Sequence, residues 1–204
     1  MNLLIGQPLL ETTITQLEQT IKNNANVDAV IYPEGYLNDN VEAACKLAKT
    51  YNVSIITGYK KPKDRAIIIN NTGEIITDRA KYDTSPTVLL NDQYIGFILC
   101  DELVLQGTSK ITGPAPNLII HPIGVGMFSE EQFDEWITEA KRIAKESNAM
   151  IIGTSHADGS YRDSEVSIPI AYCIDRDGRE VFVSKDDTRT ILYESTTERI
   201  TRVE

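Results

Sequence analysis

The chain has 204 residues, 41% hydrophobic and 25% charged, with a formal net charge of -10. That length suits one domain over residues 1–204, able to bury roughly 70% of its unfolded surface, and the composition excludes disordered and fibrous classes. The acidity excludes nucleic acid as a partner, because phosphate is bound by Lys and Arg. No apolar run approaches the ~20 residues of a membrane span.

The elements follow in chain order. A strand over 2–7 opens the chain, and its start, Met-Asn-Leu-Leu-Ile-Gly-Gln-Pro, lacks the basic region and long apolar run of a signal peptide, so a cytoplasmic protein is expected. A helix over about 12–24 leads to a strand over 28–33, which closes Asp-Ala-Val-Ile-Tyr-Pro-Glu on Glu34. The next helix, about 40–51, stacks Val41, Ala44, Cys45, Leu47, Ala48 and Tyr51 at helical spacing, so Cys45 reads as a small buried hydrophobe. The strand Ser-Ile-Ile-Thr-Gly and a hairpin turned on Gly73 come next, with Lys81 just beyond. Thr84 to Asn91 reads as a loop.

A second set begins with a strand over 94–100, Tyr-Ile-Gly-Phe-Ile-Leu-Cys, closing on Cys100. A helical or irregular stretch separates it from a strand over 117–121. Ile123-Gly124-Val125-Gly126 lacks the third glycine of a dinucleotide fingerprint and reads as a flexible loop. The helix over 130–147 has Ser129 and Gln132 as a capping box and Phe133, Trp136, Ile137, Ala140, Ile143 and Ala144 on one face. The strand Met-Ile-Ile-Gly-Thr and a hairpin turned on Gly178 follow, with Cys173 inside a strand. The tail over 188–204 adds a strand or docks on a neighbouring subunit.

The two sets are one pattern written twice, β-α-β-α-β-β-β. Strands such as Ala-Val-Ile-Tyr and Gly-Phe-Ile-Leu are apolar on both faces, so each sheet needs cover on both sides. Right-handed crossovers put the helices of a half on one side of its sheet, and the sheet of the other half covers the remaining side. The expected fold is a four-layer α-β-β-α sandwich of two pseudo-repeated halves. Chemistry in such sheets gathers at the carboxyl ends of strands, where Glu34 and Cys100 fall.

Glu34, Lys81 and Cys100 supply a base, a cation and a nucleophile, the groups that attack on an amide or nitrile carbon requires. Three cysteines cannot all pair within the chain and match no zinc spacing, so reduced thiols and no metal are expected. His121 and His156 both close strands. Such histidines are more often satisfied by a backbone carbonyl, although His156 is also a candidate for substrate contact.

With these residues in hand, the sequence resembles the nitrilase superfamily of carbon-nitrogen hydrolases, which carry Glu, Lys and Cys in that order on such a sandwich. The resemblance runs from Gly6-Gln7 through Tyr32-Pro33-Glu34, Gly73 to Lys81 and Ile95 to Cys100 to Asp175-Arg176-Asp177-Gly178. It implies Cys100 as nucleophile, Glu34 as general base, Lys81 with the Asp101 N–H as the cradle for a tetrahedral intermediate, no cofactor, a small-molecule linear amide or related compound as substrate, and a homodimer or higher homo-oligomer. The chain departs from the family in following Cys100 with Asp101-Glu102-Leu103, in having no glutamate between Tyr82 and Leu99, and in a short Gly35–Asp39 connection that predicts a shallow site. Those departures keep a catalytically inactive binding or assembly module as the alternative. A metal-dependent phosphoesterase, which would use Glu34, His121 and His156, stands third.

Overall fold

The computed structural model describes residues 1–24, 26–60, 63–162 and 164–203. The first half runs β1 (Asn2–Ile5), α1 (Thr15–Asn23), β2 (Ala29–Ile31), α2 (Val41–Tyr51), β3 (Ser54–Tyr59), β4 (Arg65–Ile69) and β5 (Ile75–Ala80). After β6 (Ser85–Pro86) and β7 (Val88–Leu90), the second half runs β8 (Gln93–Phe97), α3 (Glu102–Leu105), β9 (Ile111–Thr112), β10 (Leu118–Pro122), α4 (Glu130–Ser147), β11 (Met150–Thr154), β12 (Ile170–Ile174) and β13 (Glu180–Lys185). The tail forms β14 (Thr190–Glu194) and β15 (Arg199–Val203). Glu204, the last residue of the predicted tail, lies outside the described residues.

Among the described residues one sheet has the order β15-β14-β1-β2-β3-β4-β5, the other β13-β12-β11-β10-β8-β7, and β6 pairs with β9. The strands β1, β2 and β3 are parallel neighbours, as are β8, β10 and β11, and a hairpin continues each set antiparallel. This is the duplicated α-β-β-α sandwich that the sequence predicts. The tail adds two strands to the sheet of its own chain through β14, antiparallel to β1.

Three apolar clusters mark the three interfaces of four layers. Leu3, Ile5, Ile31 and Ile56 meet Phe97, Leu99, Ile120 and Ile152 between the sheets. Leu4, Val30 and Ile55 point the other way onto Leu17 and Ile21 of α1 and Ala44, Leu47 and Ala48 of α2, while Ile119, Ile151 and Tyr172 meet the apolar stripe of α4. Alternate residues of one strand thus serve opposite interfaces, the period-2 consequence of pleating. Each fully buried Leu or Ile contributes ~1.5–3 kcal/mol of transfer free energy.

Local chemistry sets the element ends. The Ser129 Oγ accepts the Gln132 N–H at 3.2 Å, and the Gln132 side-chain oxygen accepts the N–H of Phe128, one residue earlier than the reciprocal bond of a capping box. Asn148, at φ 49°, stops the helix in the left-handed region. The β4–β5 turn needs Gly73: its φ is +85°, and a Cβ there would stand 2.6 Å from the Cys45 carbonyl oxygen of α2.

Two expectations are corrected. The predicted loop Thr84–Asn91 contains β6 and β7, because Val88-Leu89-Leu90 pairs antiparallel with β8 around Asn91 and Asp92, which hold φ of 48° and 61°. Asn-Asp is a hairpin turn signal that the proline nearby masks. Cys100 also lies beyond β8, which ends at Phe97, although its N–H still donates to the Pro122 carbonyl at 2.9 Å.

Candidate active site

Glu34 follows β2 and is 5% exposed. The Tyr32 N–H donates to the Ile56 carbonyl at 2.9 Å, so the sheet holds the chain almost to the acid. Cys100 sits in the turn between β8 and α3 at φ 48°, a left-handed conformation that costs a non-glycine residue of order 1–3 kcal/mol. The turn is held by its N–H on Pro122 and by the Leu103 N–H, which donates to the Cys100 carbonyl at 3.1 Å. The thiol lies near enough to the Glu34 carboxylate and the Gly124 N–H for both to bear on its ionisation.

Lys81 enters from β5, its N–H donating to the Asp64 carbonyl at 2.8 Å. The ammonium stands 3.0 Å from Glu34 Oε1 and 2.9 Å from Asp101 Oδ1. Both contacts are close ion pairs, and an ammonium has three protons, so two carboxylate partners leave one donor for a further acceptor. The Asp101 carboxylate also accepts the Tyr82 hydroxyl at 2.8 Å. The structure therefore brings Glu34, Lys81, Cys100 and Asp101 into one group, from three strand ends and both halves of the chain.

A buried ion pair fixes the two halves of this group to each other. Arg79 Nη1 and Nη2 donate to Glu102 Oε1 and Oε2 at 2.8 and 2.6 Å, with the two side chains 6% and 0% exposed. Glu102 also accepts the Tyr82 N–H at 2.6 Å and the Leu99 N–H at 2.7 Å, and Arg79 donates to the carbonyls of Phe97 and Ala80. The pair ties the segment bearing Lys81 to the segment bearing Cys100. It also holds Tyr82, a second left-handed residue with φ 68°.

The charges bias one another. Burial raises the Glu34 carboxyl above the usual range, and Lys81 only partly reverses it. Although Cys100 as a residue is only partly covered, burial pushes its thiol up to about 12; Glu34 and Asp101 add to the rise, and Lys81 and the Gly124 N–H oppose it. Burial alone would push the Lys81 ammonium down, but Cys100, once its sulfur is ionised, and the Glu34 and Asp101 carboxylates outweigh it and the net shift is upward. The resting sulfur thus carries its proton at neutral pH, beside a carboxylate of raised basicity and a fixed cation.

His156 is buried, and its Nε2 lies 3.3 Å from the backbone carbonyl of Glu34. The ring stands behind the acid. His121 is fully buried, with Nε2 2.7 Å from the Cys100 carbonyl and Nδ1 2.5 Å from the Tyr172 hydroxyl. Both its nitrogens are engaged, so it offers no ligand to a metal ion. Among the described residues no group of three His, Cys, Asp or Glu side chains is arranged to hold one. A cleft of about 520 Å³, lined by Met1, Asn117, Met150 and Arg176 among others, opens between the sheets away from this group.

Sequence reasoning missed Gly124, Arg79 and Glu102. A Cβ on Gly124 would stand 2.8 Å from Glu34 Oε2, so this glycine admits the carboxylate, and its N–H favours the ionised sulfur. Its only sequence signal was its place just after a strand end. Arg79 and Glu102 carried the signal of charges flanking apolar runs, which surface residues carry equally.

No family model and no curated protein matches the chain. Solved structures do. A carbon-nitrogen hydrolase from Helicobacter pylori G27 superposes with a TM-score of 0.74 at 12% identity, over 94% of this chain and 88% of that one. XC1258 from Xanthomonas campestris, a CN-hydrolase superfamily protein with an arsenic adduct in its active site, gives 0.76 at 10% identity over 97% and 92%. A cysteine-to-alanine mutant of the Nesterenkonia AN1 amidase from the nitrilase superfamily gives 0.76 at 9% identity over 94% and 89%. Another structure of that amidase shows covalent addition of the acetamide moiety of fluoroacetamide at its active-site cysteine. This chain has the fold of the carbon-nitrogen hydrolase structures across nearly its whole length.

Proposed function

We propose that the chain hydrolyses carbon-nitrogen bonds other than peptide bonds, with a linear amide as substrate, through a thioester on Cys100. The observation that carries this reading is the convergence of the Glu34 carboxylate, the Lys81 ammonium and the Cys100 thiol on one partly open point, 3.0 Å separating acid from cation. A neighbour of the same fold whose active-site cysteine adds covalently to the acetamide moiety of fluoroacetamide supports a nucleophilic cysteine at this place in the fold.

In the first step Glu34 takes the thiol proton as the sulfur attacks the amide carbon. The carbonyl oxygen becomes an anion facing Lys81 and the Asp101 N–H, where fixed donors are worth most. Collapse breaks the C–N bond, and the proton held by Glu34 leaves with the amine. Water, deprotonated by Glu34, then attacks the thioester, and the acid product leaves as the sulfur regains a proton. A protonated resting thiol makes the general base necessary, and a carboxyl raised by burial is closer to the basicity the task needs. His156 supports the base from behind through the Glu34 backbone. A reduced, cytoplasmic setting suits a thiol nucleophile, and we include it in the proposal.

The test is ammonia release from a panel of linear amides by the wild-type protein and by Cys100→Ala. Release that depends on Cys100 supports the reading. Release that survives the substitution overturns the assignment of the nucleophile, and silence from every amide together with a Cys100 no more reactive to iodoacetamide than Cys45 or Cys173 leaves only a non-catalytic module on this fold.

A further inference from the structure

We propose that His121, held in one tautomer by Tyr172, is the positioning residue that aims the Asp101 N–H at the developing oxyanion; this rests on reading Cys100 as the acyl acceptor. The imidazole has no solvent contact and takes no part in the proton transfers above. A carbonyl oxygen only accepts hydrogen bonds, so the 2.7 Å contact to the Cys100 carbonyl puts the hydrogen on Nε2. Nδ1 is then the acceptor, and the Tyr172 hydroxyl donates to it at 2.5 Å. Tyr172 is itself fully buried, and the Trp136 ring lies 5.6 Å from the imidazole at a tilt of 31°, so orientation and tautomer are both fixed. Burial pushes the imidazole down to about 4, which keeps it neutral in the range where a hydrolase would work.

The consequence follows from the planarity of the peptide bond. The Cys100 carbonyl and the Asp101 N–H share one trans unit and point in opposite directions. Drawing the carbonyl inward onto His121 drives the N–H outward, on the side of the sulfur's substrate. That N–H donates to no acceptor among the described residues. Without His121 the carbonyl keeps only the Leu103 N–H, from a helix of four residues, 102 to 105, which is a weak anchor for a left-handed residue. An apolar side chain would fill the same space without the cost of burying an imidazole and a phenol.

The experiment compares two reactions of the same sulfur. Acylation by p-nitrophenyl acetate passes through an oxyanion; alkylation by iodoacetamide displaces iodide at a saturated carbon and forms none. We expect His121→Leu to slow acylation by about tenfold or more and Tyr172→Phe by a smaller factor, with alkylation within about twofold of wild type, since misaiming one donor costs up to what deleting it does. His121→Gln, which can present an amide N–H to the carbonyl, is expected to recover part of the loss. Acylation and alkylation falling together, or acylation unchanged in both His121→Leu and Tyr172→Phe, overturns the proposal. Wild-type protein that alkylates but does not acylate removes the hydrolase reading instead. Should His121→Leu fail to fold, Tyr172→Phe and the ¹⁵N shifts of His121 decide: a proton on Nε2 near neutral pH supports the assignment, and one on Nδ1 overturns it.

Discussion

The carboxyl ends of the two sheets are the same framework carrying different chemistry. By strand register, Ile5 pairs with Ile31 as Phe97 pairs with Ile120, so Tyr32-Pro33-Glu34 in the first half corresponds to His121-Pro122-Ile123 in the second. The first half places a carboxylate after its proline and sends its aromatic ring outward, the Tyr32 hydroxyl donating to Thr20 of α1 at 2.8 Å. The second half places an apolar residue there and turns its ring onto the Cys100 backbone. Duplication supplied two equivalent strand ends, and specialisation put charge on one and the strained thiol on the other. Neither end is complete alone, because the cation that faces the thiol comes from the hairpin of the first half.

Breaking that division at its strongest joint gives the largest effect. Arg79→Leu leaves the fully buried Glu102 carboxylate without its counter-charge, and we expect a loss of 3–5 kcal/mol in denaturant unfolding, roughly the cost of orphaning a buried ion. Replacing both partners by apolar residues should cost less than that single change. Removing the cation that the first half lends to the second comes next: Lys81→Met should lower acylation of Cys100 by about 10²–10³, the range for one lost oxyanion donor, with a smaller loss of stability than Arg79→Leu, because the buried Glu34 carboxylate also loses its counter-charge but can take up a proton.

The acid of the first half sharpens the comparison through pH. Its folded carboxyl is raised above 4.5, so the folded state keeps a proton that the unfolded state releases. Stability from this group is therefore full below about pH 4.5 and falls as pH rises towards the folded value, and Glu34→Gln should remove that slope from unfolding curves. The same raised value should set the acid limb of amide hydrolysis above the ordinary glutamate range. The smallest effect is expected at His156. Its contact with the Glu34 carbonyl is 3.3 Å, against 2.7 Å for His121 on Cys100, so His156→Gln should cost about 1 kcal/mol or less in stability and change acylation less than His121→Leu does.

Much of the fold was legible in the chain because it is written in local periodicity. The helix 130–147, its Ser129 cap, the turns at Gly73 and Gly178 and the doubled strand order all follow from spacing and from residues with narrow backbone preferences. The candidate site was legible only as a set of residue types. Glu34, Lys81 and Cys100 could be named because each follows an apolar run, yet the same runs are also followed by Asp101, Glu102 and His121, whose partners no local pattern reveals. The short β7 was lost for a related reason, since a three-residue strand exists only through its pairing with β8.

What the sequence by itself determined is the layered, duplicated framework, since alternation and helical spacing dictate which faces are apolar and burial of those faces leaves few arrangements open. Tertiary structure alone decided how charge is distributed at the strand ends. Arg79 with Glu102, Lys81 between Glu34 and Asp101, and His121 beneath Cys100 are contacts between residues distant along the chain. Their geometry and protonation depend on burial that exists only once the two sheets have packed.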